Sequence, residues 1–308
     1  MQRILITGSQ GMLGSALYSR FKKKGLNVIG AYREIVDLRN FHETLLFFSQ
    51  SKIDLIVHCA ALVGGIQSNI EGKEKYFIEN IQIDNSVLFA ARKLKIQNLV
   101  YIGSSCMYPS NLDYAIKESD LLKGKIERTN ENYGLAKIFG SRLTNSIAIE
   151  DGLNWRVFIA SNLYGPNDYF HPIRSHLIGA IITKAIQANR NNLDYIEMWG
   201  DGTPKREFTY ISDFVEWIEK SSKFLNRLPL TLNVGVGVDY TVHEYYLKII
   251  NALNLNLRVV PNTEMPNGTI RKLMDSSLAR SFGWKPKINL ENGIDLTISG
   301  YFDRESSK

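Results

Sequence analysis

Tyr133 and Lys137, four residues apart in ENYGLAK, are the pair in this sequence best suited to chemistry. On a helix that spacing puts both side chains on one face. An ammonium there stabilises a phenolate and lowers an acid constant whose ordinary value is about 10. A phenol so poised can hand its proton to a carbonyl oxygen while a hydride arrives at the carbon. Ser104, the last residue of the apolar run NLVYIGS, adds a hydroxyl able to orient that carbonyl. A tyrosine and a lysine also fall four apart by chance, so the pair gains its meaning from its surroundings.

Two places beyond that serine stands Cys106, in GSSCMYP (103–109), one of two cysteines in the chain. A ketone acidifies the protons on its neighbouring carbons, and a base on one face with an acid on the other can invert those centres through an enolate. A thiolate is a competent base, and a histidine can return the proton. The stretch NLYGPNDYFHPIRSH (162–176) offers His171 and His176 for the second task, and the residues alone leave the choice open. A lone cysteine is more ordinarily a small buried hydrophobe.

These groups need a scaffold. The first half of the chain alternates β-branched runs with helical patterns, the signature of parallel βαβ units. Strands are expected at RILIT (3–7), LNVIGAY (26–32), IDLIVHC (53–59), NLVYIGS (98–104) and NWRVFIA (154–160), with helical periodicity over 11–24, 40–50, 76–94 and 131–148. Beyond 165–166 the pattern loosens into a polar aromatic stretch, a helix and the turn-rich WGDGTPKREF (199–208), before strand-like LTLNVGVG (230–237). The expected fold class is α/β, a Rossmann-type doubly wound parallel sheet with a smaller, discontinuous C-terminal substrate domain. The expected division gives 1–165 with about 208–238 to the nucleotide-binding part and about 166–207 with 239–308 to the other.

Between the first strand and its helix lies GSQGMLG, with glycines at 8, 11 and 14. A strand, a glycine turn and a helix N-terminus offer backbone N–H groups and the positive end of a dipole to a pyrophosphate. The second strand ends AYREIVDL, with Arg33 arriving before any acid. A guanidinium suits a 2′-phosphate, so NADPH is expected over NADH, and Asp37 with Leu38 is expected beside the adenine.

Ser104, Tyr133 and Lys137, coming after this glycine triplet, resemble the short-chain dehydrogenase/reductase superfamily in its extended branch. Within it, the ordered blocks VGGI (63–66), GSSCMYP, ERTNENYGLAK, NLYGPNDYFHP with Ser175-His176, WGDGTPKREF, NVGVGVDYT (233–241) and NGTIRKLMD (267–275) are similar to the GDP-L-fucose synthase family. The resemblance implies that Cys106 and His176 are the acid/base pair for epimerisation at C3 and C5. It makes Ser104 the orienter of the carbonyl, Tyr133 the proton donor for reduction at C4, and Lys137 also the holder of the nicotinamide ribose. Around NADPH it further implies Met12, Leu13, Ala60, Ala61, Ala160, Ser161, Asn162, Leu163 and His176. Around a GDP-sugar it implies Lys184, Trp199, Arg206, Asn267 and Lys272.

The implied reaction turns GDP-4-keto-6-deoxy-D-mannose into GDP-L-fucose, in a homodimer. The chain departs from the family pattern at Lys184, usually arginine, at Asn267, usually aspartate, at Ile270, and at Arg128 and Asn132, usually prolines. A lysine keeps the charge and loses bidentate geometry, so a related GDP-4-keto dideoxyhexose or 6-deoxyheptose stays open as substrate. A nucleotide-sugar 4-epimerase would have no need of Cys106, and a dinucleotide-sensing protein no need of the Ser–Tyr–Lys set.

Composition narrows the rest. A chain of 308 residues with 44% hydrophobic side chains buries a large core. Its net charge of +6 is scattered rather than gathered into a basic face, so nucleic acid is not expected. MQRILITG runs directly into a strand without the pattern of a secretory signal, and no apolar run reaches the roughly 18 residues of a membrane span, so the expected location is the cytoplasm. The two cysteines are expected as reduced thiols, and no Cys/His spacing suits a metal.

Overall fold

The computed structural model describes residues 3–173 and 175–306, so the extreme ends of the expected domain ranges lie outside the described residues. In chain order the strands are β1 (Arg3–Thr7), β2 (Asn27–Ala31), β3 (Leu55–His58), β4 (Asn98–Ser104), β5 (Asn154–Ala160) and β6 (Asn162–Tyr164). They continue as β7 (Tyr195–Trp199), β8 (Lys205–Tyr210), β9 (Thr231–Val234), β10 (Asp239–Thr241), β11 (Arg258–Asn262) and β12 (Arg271–Lys272). The helices are α1 (Met12–Lys23), α2 (Phe41–Ser49), α3 (Ile66–Glu71), α4 (Lys73–Lys93), α5 (Glu131–Asp151) and α6 (Leu177–Arg190). After them come α7 (Ile211–Ser221), α8 (Val242–Ala252), α9 (Ser277–Ser281) and α10 (Leu290–Ser306).

Six strands form one parallel sheet in the order β2-β1-β3-β4-β5-β9. Its apolar runs alternate between two cores. Ile4, Ile6, Val57, Val100 and Phe158 face one side with Leu17 and Phe21 of α1. Leu5, Ile56, Leu99, Tyr101 and Val157 face the other with Phe48 of α2 and Val87 and Leu88 of α4. Helices on both faces make this an α/β, Rossmann-type doubly wound sheet, and each fully buried large side chain contributes about 2 kcal/mol to holding it together.

Register aligns the strand ends. Thr7 pairs with His58 and Ser104 with Ala160, so the chain leaves β1, β3, β4 and β5 along one carboxyl edge. The strand order reverses between β1 and β3, and ligands of such sheets bind outside that edge.

The C-terminal half differs from its sequence pattern. WGDGTPKREF reads as turn, yet its second half is β8, which pairs with β10, β12 and β6. These strands are two to six residues long and their partners lie far off in sequence, so no periodicity announces them. LTLNVGVG is shortened to Thr231–Val234. Among the described residues no helix is long and apolar enough to cross a membrane, and Cys59 and Cys106 are free thiols.

Candidate active site

A cavity of 1430 Å³ opens at the carboxyl edge of the sheet. On it converge Gly8, Gly11, Met12, Leu13 and Gly14 from the first turn, Ala60 and Ala61 after β3, and Ser104 and Cys106 after β4. Tyr133 and Lys137 of α5 join them, with Ala160, Ser161, Asn162, Leu163 and His176. So do Lys184, Trp199, Arg206, Asn267 and Lys272 from the C-terminal half. Arg33, Asp37 and Leu38 are not among its lining residues.

The glycine turn is shaped as a cradle. Gly8 has φ +66°, and a Cβ on it would lie 2.8 Å from the Ala60 Cα. A Cβ on Gly14 would lie 2.1 Å from the Gly8 carbonyl oxygen. The helix that follows begins at Gly11 with no side-chain cap and no acidic residue in its first turn. Its first N–H groups and its positive dipole end therefore remain available to an anion, and the donor set fits a dinucleotide pyrophosphate.

Beside the second strand the outcome is different. Arg33 is mostly exposed and donates to Glu79 Oε2 at 3.0 Å. Asp37 is forked by Arg39, with Nε to Oδ1 at 2.9 Å and Nη2 to Oδ2 at 2.7 Å. That guanidinium holds the Asp37 carboxyl down at about 2. Leu38 is buried. Arg39 and Glu79 escaped the sequence reading because nothing in their spacing shows that they meet.

Ser104 links the reactive groups. Its Oγ accepts from the Cys106 backbone N–H at 3.2 Å, and its side chain hydrogen-bonds Tyr133. Sequence reasoning expected Lys137 to lower the acid constant of Tyr133. The structure reverses that direction: burial pushes the phenol above its ordinary value, the Cys106 sulfur adds to this, and the Ser104 hydrogen bond opposes it. The Lys137 ammonium, itself pushed down by burial, lies 4.0 Å from the centroid of the Tyr101 ring. Desolvation outweighs the helix-face pairing, since burial is the largest influence on both groups.

Across the cavity, buried Lys272 points its ammonium at Cys106, Nζ to Sγ at 3.4 Å. Sequence reasoning had placed this lysine on the sugar nucleotide and missed the contact, which joins residues 166 apart. Arg206 donates to the carbonyl oxygens of Lys205 at 2.8 Å and Thr269 at 2.5 Å. Asn267 Oδ1 accepts from the Asp201 N–H at 2.9 Å. Lys184 donates to the Glu197 carbonyl at 3.1 Å and stands 5.5 Å from the Trp199 ring centroid.

The two histidines are held differently. His171 Nδ1 accepts from the Ile173 N–H at 3.2 Å and its ring stacks on Tyr169. His176 occupies the cap position of α6 without capping it. Nearby Asp168 is buried, and burial pushes its carboxyl up while the charge of His176 opposes the rise.

Over residues 4–235 the chain matches the NAD dependent epimerase/dehydratase family. It belongs to that family. From Ile4 of β1 onward the match takes in the strands of the parallel sheet and the glycine cradle, and it ends before β10. Among its relatives, GDP-L-colitose synthase of Yersinia pseudotuberculosis is 36% identical over 306 residues, covering 99% of both chains. GDP-L-fucose synthase of Escherichia coli K12 is 33% identical over 317 residues, covering 99% of this chain and 98% of its own. Among solved structures, a GDP-mannoheptose C4 reductase from Campylobacter jejuni with NADP bound superposes with a TM-score of 0.88 at 28% identity, covering 98% of each chain.

Proposed function

We propose that the protein is an NADPH-dependent enzyme that epimerises GDP-4-keto-6-deoxy-D-mannose at C3 and C5 and reduces it at C4, giving GDP-L-fucose. The observation that carries this reading is that Ser104, Cys106, Tyr133 and Lys137 line one cavity with a glycine cradle that a Cβ would fill. The relatives named for GDP-L-fucose and GDP-L-colitose synthesis, and the NADP-bound reductase, support the substrate class and the cofactor.

NADPH, when bound, would supply the hydride for C4. Gly8, Gly11, Met12, Leu13 and Gly14 would hold its pyrophosphate, with Ala60 and Ala61 alongside. Ala160, Ser161, Asn162, Leu163 and His176 would border the nicotinamide, and Lys137 the ribose. Arg33 would answer the 2′-phosphate, with Asp37 and Leu38 toward the adenine. Arg206, Lys184 and Lys272 answer the charge of the GDP-sugar, with Trp199 and Asn267 beside it.

Cys106 takes a proton from the carbon next to the ketone, and the electrons of that C–H bond pass into an enolate. His176 returns a proton to the other face, which inverts the centre. Lys272 faces the sulfur and the charge that comes and goes there. Ser104 orients the ketone oxygen, and Tyr133 gives it a proton as it becomes an alcohol. The raised acid constant of Tyr133 keeps the phenol protonated around neutral pH, as a donor must be.

The strands of the large sheet all lie in 1–165 or 208–238, while β7, β10, β11 and β12 lie in 166–207 or 239–308. That supports a cofactor part and a sugar-nucleotide part meeting at the cavity. A homodimer joined through α4 and α5 is supported by Ile78, Phe89, Leu135 and Ile149, apolar side chains that these helices leave exposed. A second reading, the same chemistry on a GDP-4-keto dideoxyhexose or heptose, is favoured by Lys184, which offers a single point charge where a fork is usual.

The test is a panel of GDP-4-keto sugars with NADPH, followed by NADPH absorbance and product NMR. Consumption with GDP-4-keto-6-deoxy-D-mannose and formation of GDP-L-fucose is the expected result. Turnover confined to a dideoxy or heptose substrate selects the second reading. Binding of NADPH without consumption on any sugar overturns both, as does protein purified with stoichiometric NAD.

A further inference from the structure

Beneath Lys137 runs a buried chain of polar side chains that the proposed reaction does not use directly. Thr7, His58, Asp84 and Tyr101 are all 1% exposed or less. His58 Nε2 lies 3.0 Å from Asp84 Oδ1, an acceptor, so the neutral ring carries its proton on Nε2 and donates there. Its Nδ1 then accepts from the Thr7 hydroxyl at 2.7 Å, and Thr7 Oγ1 in turn accepts from the Ala60 N–H at 3.2 Å. The Tyr101 hydroxyl donates to Asp84 Oδ2 at 2.6 Å, and the face of the same Tyr101 ring receives the Lys137 ammonium.

The helix that carries Lys137 is cut to fit this carboxylate. Gly140 stands three residues further along α5, and a Cβ there would lie 2.1 Å from Asp84 Oδ2 and 2.2 Å from the Tyr101 hydroxyl oxygen. Any larger residue would push α5, and Lys137 with it, away from α4.

The groups around Lys137 come from every element packed against it: His58 and Cys59 from the end of β3, Tyr101 from β4, Asp84 from α4, and Tyr133 from its own helix. Burial keeps His58 neutral and pushes the Cys59 thiol up to about 12. Tyr101 and Tyr133 are both held above the ordinary phenol value. The Asp84 carboxylate accepts from both His58 and Tyr101, which fixes it in place, and its charge acts on the buried Lys137 ammonium that rests on the Tyr101 ring.

We infer that Asp84, held by His58 and Tyr101, is the counter-ion that positions the Lys137 ammonium for the reduction. Asp84 is not among the residues that line the cavity, so it is a positioning residue. The inference rests on the proposed reading of Tyr133 and Lys137 as the reducing pair.

The experiment measures NADPH consumption against pH, from about 6 to 10, for wild type, Asp84→Asn and Tyr101→Phe, with NADPH affinity by fluorescence in parallel. An anion near an ammonium favours its charged form, so removing it lets the lysine lose its proton at lower pH. Asp84→Asn is expected to bring the alkaline loss of activity down by about one pH unit. It is also expected to lower kcat about tenfold near pH 8 with KM for the sugar changed less than about twofold. Solvent deuterium uptake at C3 and C5, assigned to Cys106 and His176, is expected to fall by less than reduction does. Tyr101→Phe keeps the ring face and removes only the hydroxyl, so its shift has the same sign and smaller size.

An alkaline limb that stays in place in both variants overturns the inference, and Tyr101→Phe alone decides it if Asp84→Asn fails to fold. Where wild type consumes NADPH with no ketosugar, the functional reading fails separately. NADPH affinity then decides the inference: it stands if the alkaline loss of binding moves down in Asp84→Asn and falls if that loss stays where it was.

Discussion

The glycine cradle and the shelf around Cys106 stand on the same cavity and are built in opposite ways. The cradle is backbone from a single stretch, residues 8–14, and its shape depends on atoms that are absent at Gly8 and Gly14. The shelf is made of side chains gathered from the ends of β4, β7, β8 and β12, with Lys272 reaching a sulfur 166 residues away. The cradle contains no titratable group, whereas the shelf leans on one. Glu207, wholly buried next to Arg206, accepts from the N–H groups of Gly237 at 2.7 Å and Met274 at 2.9 Å. A wall of backbone tolerates little added volume, and a wall of charged side chains responds to charge and pH.

Replacing Tyr133 by Phe should give the largest effect, because it removes the hydroxyl proposed as the proton donor. Reduction should fall by about a thousandfold, while deuterium uptake at C3 and C5 falls far less; parallel losses would merge the two chemistries that the comparison separates. Next comes the support of the shelf. Burial pushes Glu207 up to about 7 from an unfolded value near 4.5. Between those values the folded protein holds a proton that the unfolded chain has lost, so stability is full below about 4.5 and declines as pH rises through 7. The shift corresponds to about 3 kcal/mol. Thermal unfolding of wild type against Glu207→Gln should show this slope only in wild type, and equal slopes would remove Glu207 as its source.

Cys106→Ser should slow deuterium uptake by about a hundredfold, with NADPH affinity within about twofold of wild type. A large loss of cofactor affinity would mean that shelf and cradle are not separable. On the cradle, Gly14→Ala forces a methyl against the Gly8 carbonyl. It should cost about 2 kcal/mol in thermal unfolding and weaken NADPH binding, and unchanged affinity would deny the cradle its tight fit. The smallest change is expected for Arg33→Ala, where the guanidinium is mostly exposed. NADPH affinity relative to NADH should fall by only a few-fold, read from parallel titrations.

Local features of the sequence were the legible ones. Tyr133 and Lys137 could be placed on one face because a helix repeats every turn, and Gly8, Gly11 and Gly14 could be read as a phosphate turn because strand, turn and helix are adjacent in the chain. The five strands marked in the first half, and the one at 231–234, were visible as near-continuous apolar runs because both faces of a parallel sheet are covered. β8 was hidden in a turn-rich stretch, since six residues with polar neighbours carry no period. Arg33 looked free for a phosphate, and only the packing of α4 against the second strand's loop brings Glu79 to it.

From the sequence alone came the alternation of strand and helix in the first half, the glycine turn suited to a phosphate, and the residue types suited to proton and hydride chemistry, all of which depend on neighbours within a few positions. The direction in which Tyr133 is tuned, the meeting of Lys272 with Cys106, and the carboxylate beneath Lys137 were decided by tertiary structure alone. The reason is physical: desolvation and through-space charge depend on what surrounds an atom in three dimensions, and spacing along the chain carries no record of that.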